Sequence, residues 1–463
     1  MANLETIVAL STPPGTSGLA VVRLSGPGCR AVAGACLGRP DPQPRHVYYG
    51  AFRIAGVMAG PEAETATIAE PAPSEILDRL NYVFFPGPAS STGEDVLELY
   101  PHGNPLILEG LLRALLAQPG LRLAGPGEFT RRSFENGKID LLQAEAVGQL
   151  IHAETRQALR NAQRMAAGEL SAPLKELRDA LVDLSVRLEL EVDFSEEEAD
   201  PDYASWLPRL EVIRSALDRL SAGFARGREL GRAPRVAILG APNAGKSSLI
   251  NALVESDRLL VSEIPGTTRD WVEVTLVLPS GRIHLIDTAG LGRPVDGLDA
   301  LAMERTRRQW AEADLRVWVE DGTAPESGVT VPDAGIQGLQ GDIALRIRSK
   351  SDLPGFRPAV GSLSVSSPGR SGLDALRARL EALAFADTGG GEDILLTTER
   401  QFQAIGSARE RVAAALEGMR RKPAIEILAF EIREAAGHLQ ELLGEISTDE
   451  ILGRIFAGFC IGK

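Results

Sequence analysis

The first 120 residues carry short apolar runs separated by Pro and Gly: TIVAL at 6–10, LAVVRL at 19–24, LNYVFF at 80–85 and DVLELY at 95–100. Runs of this length, rich in Val, Tyr and Phe and bounded by turn residues, predict strands. The stretch 55–75, AGVMAGPEAETATIAEPAPSE, is rich in Ala, Pro and Glu and predicts an exposed loop inside the same α+β domain. From Lys138 the period changes. Ile139, Leu142, Ala146 and Leu150 step by three and four, and Leu174, Leu177, Leu181, Leu184 and Leu188 continue as a near-heptad stripe, so helices replace strands. The acidic turn SEEEADPD at 195–202 ends that run, and a further helix is expected to about residue 230.

Residues 234–384 alternate strand-like and helix-like segments, the pattern of a parallel α/β sheet. ADTGGGED at 386–393 reads as a linker, after which helical spacing resumes at Ile425, Leu428, Ile432, Ala436, Leu439 and Leu443. Helical segments therefore flank the α/β region on both sides. Either they form one helical domain with the α/β domain inserted, the simpler arrangement, or they form two separate helical domains.

The chain has 463 residues, enough for about three domains at roughly 150 residues each. Its 44% hydrophobic content supplies cores of ordinary size. No run approaches the ~20 apolar residues of a membrane span, and MANLETIVALSTPPG lacks the basic-then-apolar start of a secretory signal. The three cysteines, Cys29, Cys36 and Cys460, form no CxxC pair, which argues against a disulfide framework or a zinc site. A cytoplasmic protein is expected. A net charge of −14 repels nucleic acid, so an RNA substrate must meet a local basic patch or be held by a partner. Arg131, Arg132 and Lys138, then Arg156, Arg160 and Arg164, then Arg420, Arg421 and Lys422 are such clusters. Each taken alone reads as a solvated helix face.

The chemistry is concentrated in the α/β region. Gly240-Ala-Pro-Asn-Ala-Gly-Lys-Ser247 fits GxxxxGK[ST], follows the apolar run RVAIL and precedes the helix-like SSLINAL. In that context backbone N–H groups at a helix N-terminus cradle phosphates, Lys246 pairs with the β- and γ-phosphates, and Ser247 ligates Mg²⁺. Asp287-Thr288-Ala289-Gly290 ends a second apolar strand, where a carboxylate can hold Mg²⁺ through water and a glycine N–H can meet the γ-phosphate. Ser349-Lys350-Ser351-Asp352 follows ALRIR and resembles the guanine-reading NKxD, in which Asp accepts from the base N1–H and exocyclic amine. Ser349 stands where Asn is usual, and a hydroxyl reaches less far than an amide. Ser366-Ser367 is placed to bring backbone to guanine O6. Gly266-Thr267-Thr268-Arg269-Asp270 is a switch-type segment with Thr268 a candidate second Mg²⁺ ligand. Leu291 follows the DTAG run where Ras-like enzymes orient water with Gln, so the water must be positioned from elsewhere. No arginine finger is evident, and a monovalent cation beside the phosphates could supply its charge.

The resemblance to the MnmE (TrmE) family of tRNA-modification GTPases runs along essentially the whole chain. It is carried by TIVALSTPPGTSGLAVVRLSG at 6–26, STGEDVLELYPHG at 91–103, GPGEFTRRSFENGKIDLLQAEAV at 125–147, GAPNAGKSSL, IPGTTRD, DTAGL and LGRIFAGFCIGK at 452–463. The fold class it implies is multidomain α+β and α/β. An N-terminal tetrahydrofolate-binding and dimerisation domain spans 1–124. A discontinuous helical domain spans 125–232 and 386–463, around an inserted Ras-like P-loop G domain at 233–385. The implied partners are a second copy of the chain, an FAD-dependent MnmG-type protein and tRNA, with no membrane. The implied reaction places aminomethyl or carboxymethylaminomethyl groups on C5 of the wobble uridine, using 5-formyl- or methylene-tetrahydrofolate and driven by GTP hydrolysis.

By matching position the resemblance implies a nucleotide site of Asn243, Ala244, Gly245, Lys246, Ser247 and Ser248, then Ser262, Glu263, Ile264, Pro265, Gly266, Thr267 and Thr268. Asp287 to Gly290, Ser349 to Asp352, Ser366 and Ser367 complete it. Ser247 and Thr268 would take Mg²⁺, and Asn243, Ser262, Ile264 and Thr267 would take K⁺. The family's water-orienting glutamate falls on Asp299, one methylene shorter, with Glu304 nearby, and Lys246 joins Asp299 as catalytic. The folate pocket would use Arg23, Glu98, Lys138 and Lys463. Cys460 is either a nucleophile near the one-carbon unit or a structural thiol, with no His partner close in sequence. Two other readings remain open: a folate enzyme whose G domain only regulates, and a ribosome-assembly GTPase.

Overall fold

The computed structural model describes residues 5–54, 75–193, 203–255, 273–287, 308–325, 342–386, 394–421 and 425–463. The chain divides into two compact units, one of Met1–Ile151, Gln163–Ser221 and Glu399–Lys463, the other of His152–Ala162 and Ala222–Thr398. Residues 55–74 of the long Ala/Pro/Glu stretch and the whole acidic turn lie outside the described residues.

In the first unit six strands form one sheet: β1 Thr6–Leu10, β2 Val22–Ser25, β3 Val47–Ile54, β4 Glu75–Phe85, β5 Val96–Tyr100 and β6 Leu121–Leu123. Their order is β3-β4-β5-β2-β1-β6, and every pair is antiparallel except β1 with β6. Alternation sends Val8, Val22, Leu24, Phe52, Leu80, Tyr82, Phe84, Leu97 and Leu99 to one face. Helices Cys29–Leu37 and Pro105–Leu116 cover that face with Val32, Leu108, Leu111 and Leu115. Helix Pro105–Leu116 starts where Asn104 Oδ1 accepts from Leu106 N at 2.9 Å, with Pro at the first turn. Cys29 and Cys36 are buried in this core; burial raises both thiols, Cys36 to about 11, so neither is a thiolate near neutral pH.

The leucine stripe forms helix Ser171–Asp193 and buries Leu174, Leu181, Leu184 and Leu188. Helix Ile425–Leu443 packs against both Ser171–Asp193 and Glu399–Arg421, burying Leu428, Ile432, Ala436, Leu439 and Leu443. Segments from both flanks of the α/β region thus share one helical layer. The closing helix Asp449–Ala457 is capped by Thr448 and sets Leu452 and Phe456 against Leu141 and Ala144.

Arg132 corrects the reading of its cluster as a solvated face. It is 1% exposed, donating to Glu94 at 2.8 Å and to Glu128 at 3.1 Å. Glu128 also receives Arg122 and the Gly125 N–H, and although burial opposes it, these donors hold its carboxyl below the usual range. The sequence periodicity of GEFTRR cannot separate Arg131, which is partly exposed, from Arg132.

The second unit has the sheet β12-β11-β10-β7-β9-β8, built from β7 Arg235–Gly240, β8 Glu273–Leu278, β9 Gly281–Asp287, β10 Leu315–Asp321, β11 Leu345–Ser349 and β12 Ser362–Ser364. All neighbours run parallel except β8, which is antiparallel to β9. The chain starts at β7, builds outward to one side through β8 and β9, then crosses to the other. The carboxyl end of β7 is therefore the switch point where open α/β sheets bind ligands. Residues 154–156 attach to the β8–β9 turn: Thr155 bridges Gly281, Arg156 N donates to Ser280 O at 2.9 Å and Arg282 N to Glu154 O at 2.8 Å. This unit therefore extends beyond residues 233–385 on both sides.

Candidate functional site

β7 is buried along Val236, Ala237, Ile238 and Leu239, as a central parallel strand must be when both faces are covered. The chain then turns through Gly240–Gly245 into helix Lys246–Glu255. Asn243 (φ 62°) and Gly245 (φ 88°) are left-handed, which curls the loop back on itself. Leu249 N donates to Gly245 O at 2.9 Å and starts the helix, so the amides of its first turn have no intrahelical acceptor and stay available to an anion. Lys246 lies across the loop, its Nζ 3.1 Å from both Gly240 O and Ala241 O. It is 7% exposed; burial lowers its pKa, while Asp287 acts in the opposite direction.

Ser247 Oγ donates to Asp287 Oδ2 at 2.7 Å. The first helical turn after the phosphate-type loop and the end of β9 thus place a hydroxyl and a carboxylate together, hard oxygen donors that fit Mg²⁺. A ligand that takes the Ser247 oxygen would leave Asp287 to act through water.

The second half of the site follows β11. Ser349 is buried, and its hydroxyl lies 2.6 Å from Ala244 O and 3.0 Å from Glu320 O. Despite its shorter reach, this serine ties the phosphate-type loop to the loop after β11. Lys350 is left-handed (φ 60°) and its ammonium meets Asp321 Oδ2 at 2.6 Å. Burial would raise the Asp321 carboxyl, but hydrogen bonds from Lys350 and Thr323 outweigh it and bring it down to about 2. Asp352 Oδ1 accepts from Ser366 Oγ at 2.5 Å, and Ser366 Oγ accepts from Gly369 N at 2.9 Å. Ser351 N donates to Val365 O at 3.2 Å, so the loops after β11 and β12 are locked together.

Asn243, Ala244, Gly245, Lys246, Ser247, Ser248, Asp287, Ser349, Lys350, Ser351, Asp352, Ser366 and Ser367 are all carried on loops and helix starts at the carboxyl ends of the β7, β9, β11 and β12 strands. Ser262 to Thr268, Thr288, Ala289, Gly290 and Asp299 lie outside the described residues. So do Leu291 and Glu304. Asp321 and Arg348 belong to the same constellation and were not legible beforehand. Asp321 carries no motif, and Arg348 in LRIRS has the alternation of a half-exposed strand.

In the first unit, Arg23 on β2 and Glu98 on β5 are directly paired across the sheet, with Nε to Oε1 at 2.8 Å. Tyr100, absent from the sequence expectations, donates to Glu98 Oε2 at 2.6 Å, and burial followed by Glu98 pushes its phenol up to about 12. Arg23 also lies over the Phe129 ring at 5.8 Å. Lys138 Nζ instead donates to Pro88 O at 3.0 Å. The final residues dock beside β1: Gly127 N donates to Cys460 O at 3.4 Å, Ile461 bridges Pro126, and Ser11 Oγ donates to Gly462 O at 3.1 Å. Cys460 is exposed. Among the described residues no cluster of three or more His, Cys, Asp or Glu could hold a metal, and no helix is long and apolar enough to cross a membrane.

Two family profiles match: "GTP-binding protein TrmE N-terminus" over residues 6–138 and "MnmE helical domain" over 141–460. A protein named tRNA modification GTPase MnmE from Azoarcus sp. (strain BH72) is 40% identical over 466 residues, covering 99% of this chain and 98% of its own. One of the same name from Proteus mirabilis (strain HI4320) is 36% identical over 477 residues and 100% of both chains. Among solved structures, the G domain of the T. maritima FeoB iron transporter aligns with 33% of this chain and 99% of its own, at 24% identity and TM-score 0.26. Full-length identity at this level, with both profiles in register, places the chain in the MnmE family of GTPases.

Proposed function

We propose that the protein is a GTPase that modifies tRNA, with GTP bound at the carboxyl end of the second unit's sheet. The carrying observation is the joint placement of Lys246, the Ser247–Asp287 pair and the Ser366-braced Asp352 at the carboxyl end of one sheet. In this reading Lys246 and the amides of the following turn take the phosphates, and Ser247 with Thr268 takes Mg²⁺. Asp352 accepts from guanine N1–H and its amine, donors that adenine does not present together. Family membership supports the wider assignment: with an FAD-dependent MnmG-type partner, the homodimer adds an aminomethyl or carboxymethylaminomethyl group to C5 of the wobble uridine in the cytoplasm. Mass spectrometry of wobble nucleosides from cells lacking the protein should show these groups missing from the affected tRNAs. Unchanged wobble uridines would refute the assignment.

The one-carbon unit would come from a tetrahydrofolate held by Arg23, Glu98, Lys138 and Lys463. Arg23 and Glu98 fit such a ligand: a guanidinium and a carboxylate side by side offer donors and acceptors to a pterin edge, and Tyr100 fixes the carboxylate.

Hydrolysis in this reading relies on K⁺ at Asn243, Ser262, Ile264 and Thr267, and on Asp299 to orient water. Turnover at saturating GTP should then be at least about tenfold faster in K⁺ than in Na⁺, and Asp299→Ala should lower kcat with little change in nucleotide affinity. Equal rates in the two salts would remove the cation from the mechanism, and an unaffected Asp299→Ala would remove the carboxylate.

A further inference from the structure

Arg348 is the fourth residue of β11, yet its side chain is 1% exposed. A guanidinium stays charged under all protein conditions, so a buried one must be compensated by its partners. The carboxylate facing it, Glu320, is 3.9 Å away and accepts from Trp318 Nε1 at 3.1 Å. Arg348 instead aims Nη2 at the carbonyls of a single turn: Ala324 O at 2.8 Å, Gly322 O at 3.2 Å and Asp321 O at 3.4 Å. Its Nε has no acceptor among the described residues.

That turn supports the loop after β11. Gly322 N donates to Ser349 O at 3.0 Å and Arg357 N donates to Gly322 O at 2.9 Å. A side chain at Gly322 would strike the Phe356 ring. Asp321 Oδ1 accepts from Thr323 N at 2.9 Å and Thr323 Oγ1 at 2.7 Å, which leaves Oδ2 for Lys350. A continuous path thus runs from the Arg348 guanidinium through the 321–324 turn and the Asp321 carboxylate to Lys350, two residues before Asp352.

Ser349 gives this path its importance. Its hydroxyl carries one hydrogen, and two carbonyls, Ala244 O and Glu320 O, compete for it. An asparagine amide would present two. The loop is therefore held less firmly from the phosphate side and must be held from beneath.

We propose that Arg348 is a positioning residue for guanine selection: it fixes the 321–324 turn, so that Asp321 and Lys350 keep the Asp352 carboxylate aligned with the base edge. This rests on the reading of the site as a GTP site. The test is calorimetric binding of GDP and of IDP, which lacks the exocyclic amine, to the full chain and its Arg348→Met variant, with melting curves for both. The wild type should prefer GDP by about tenfold, one charge-assisted hydrogen bond. Arg348→Met should weaken GDP about tenfold and bring the two ligands to within about twofold of each other. A variant that weakens both ligands equally and keeps the wild-type ratio would show a merely structural role and overturn the inference. If Arg348→Met does not fold, Asp321→Asn cuts the same path one link later and must show the same collapse of the ratio; a preserved ratio there also overturns it. A wild type indifferent to the amine would overturn the guanine reading itself, and the inference with it.

Discussion

Lys246→Ala is expected to reduce GTP hydrolysis by at least about a hundredfold, the scale seen when a single preorganised group facing developing charge is removed. The ammonium is 7% exposed and rests 3.1 Å from two backbone carbonyls of its own loop. Those neutral acceptors are replaceable. Phosphate oxygens entering the loop would exchange them for charge-assisted hydrogen bonds, roughly twice as strong. The burial that lowers the pKa of Lys246 makes each of those contacts stronger, because little water remains to screen them. The substitution removes a desolvated charge, which favours folding, but it also takes a donor away from the buried Gly240 O, so stability is read separately from activity. Phosphate release and fluorescent-GDP binding, read beside melting curves, check this. Hydrolysis within a few-fold of wild type in a variant that melts normally would mean that Lys246 does not face the transferred phosphate.

Removal of residues 460–463 should abolish tetrahydrofolate binding and wobble-uridine modification while leaving GTP hydrolysis within about twofold. Chain ends are ordinarily frayed and tolerant of truncation, but this segment is anchored at three successive residues. Cys460 O receives Gly127 N, Ile461 bridges Pro126, and Gly462 O receives the Ser11 hydroxyl. Gly462 is left-handed (φ 93°), and a Cβ there would come within 2.6 Å of Leu10 O. Gly462→Val therefore offers a gentler version that keeps every other side chain, including Lys463. It should lower folate affinity at least about tenfold, because a bulky β-branched residue at positive φ must move the backbone. Calorimetry with a tetrahydrofolate on both variants, beside nucleoside mass spectrometry, measures the effect. A truncated protein that binds the folate normally would place the pocket elsewhere, and the Arg23–Glu98 pair would then be a cross-strand brace only.

Much of this protein is written locally. β7, β9 and β11 follow from apolar runs that end in GAPNAGKS, DTAG and SKSD, because a parallel strand buried on both faces needs a continuous apolar run and a phosphate loop needs its glycines at fixed offsets. The leucine stripe of Ser171–Asp193 and the steps of Ile425–Leu443 were likewise legible, since helix period depends on residues three and four apart. The sequence alone left open whether those two helices pack together, because that contact joins segments more than two hundred residues apart. Tertiary structure decided it by setting Ile425–Leu443 against Ser171–Asp193.

It also decided the side chains that local pattern misassigns. LRIRS has the alternation of a strand with one wet face, but β11 sits between β10 and β12, and Arg348 is buried. GEFTRR places two arginines on a helix; only the packing around Glu94 and Glu128 separates buried Arg132 from partly exposed Arg131. Strand pairing of β2 with β5 set Arg23 opposite Glu98, whereas Tyr100 reaches Glu98 from two residues along the same face of β5. Residues 154–156, read as part of a helical run, add to the β8–β9 turn through backbone hydrogen bonds, which no side-chain pattern announces. Short-range periodicity records which face of an element is apolar; which other element covers that face, and which polar group is enclosed with it, is set by contacts distant in sequence.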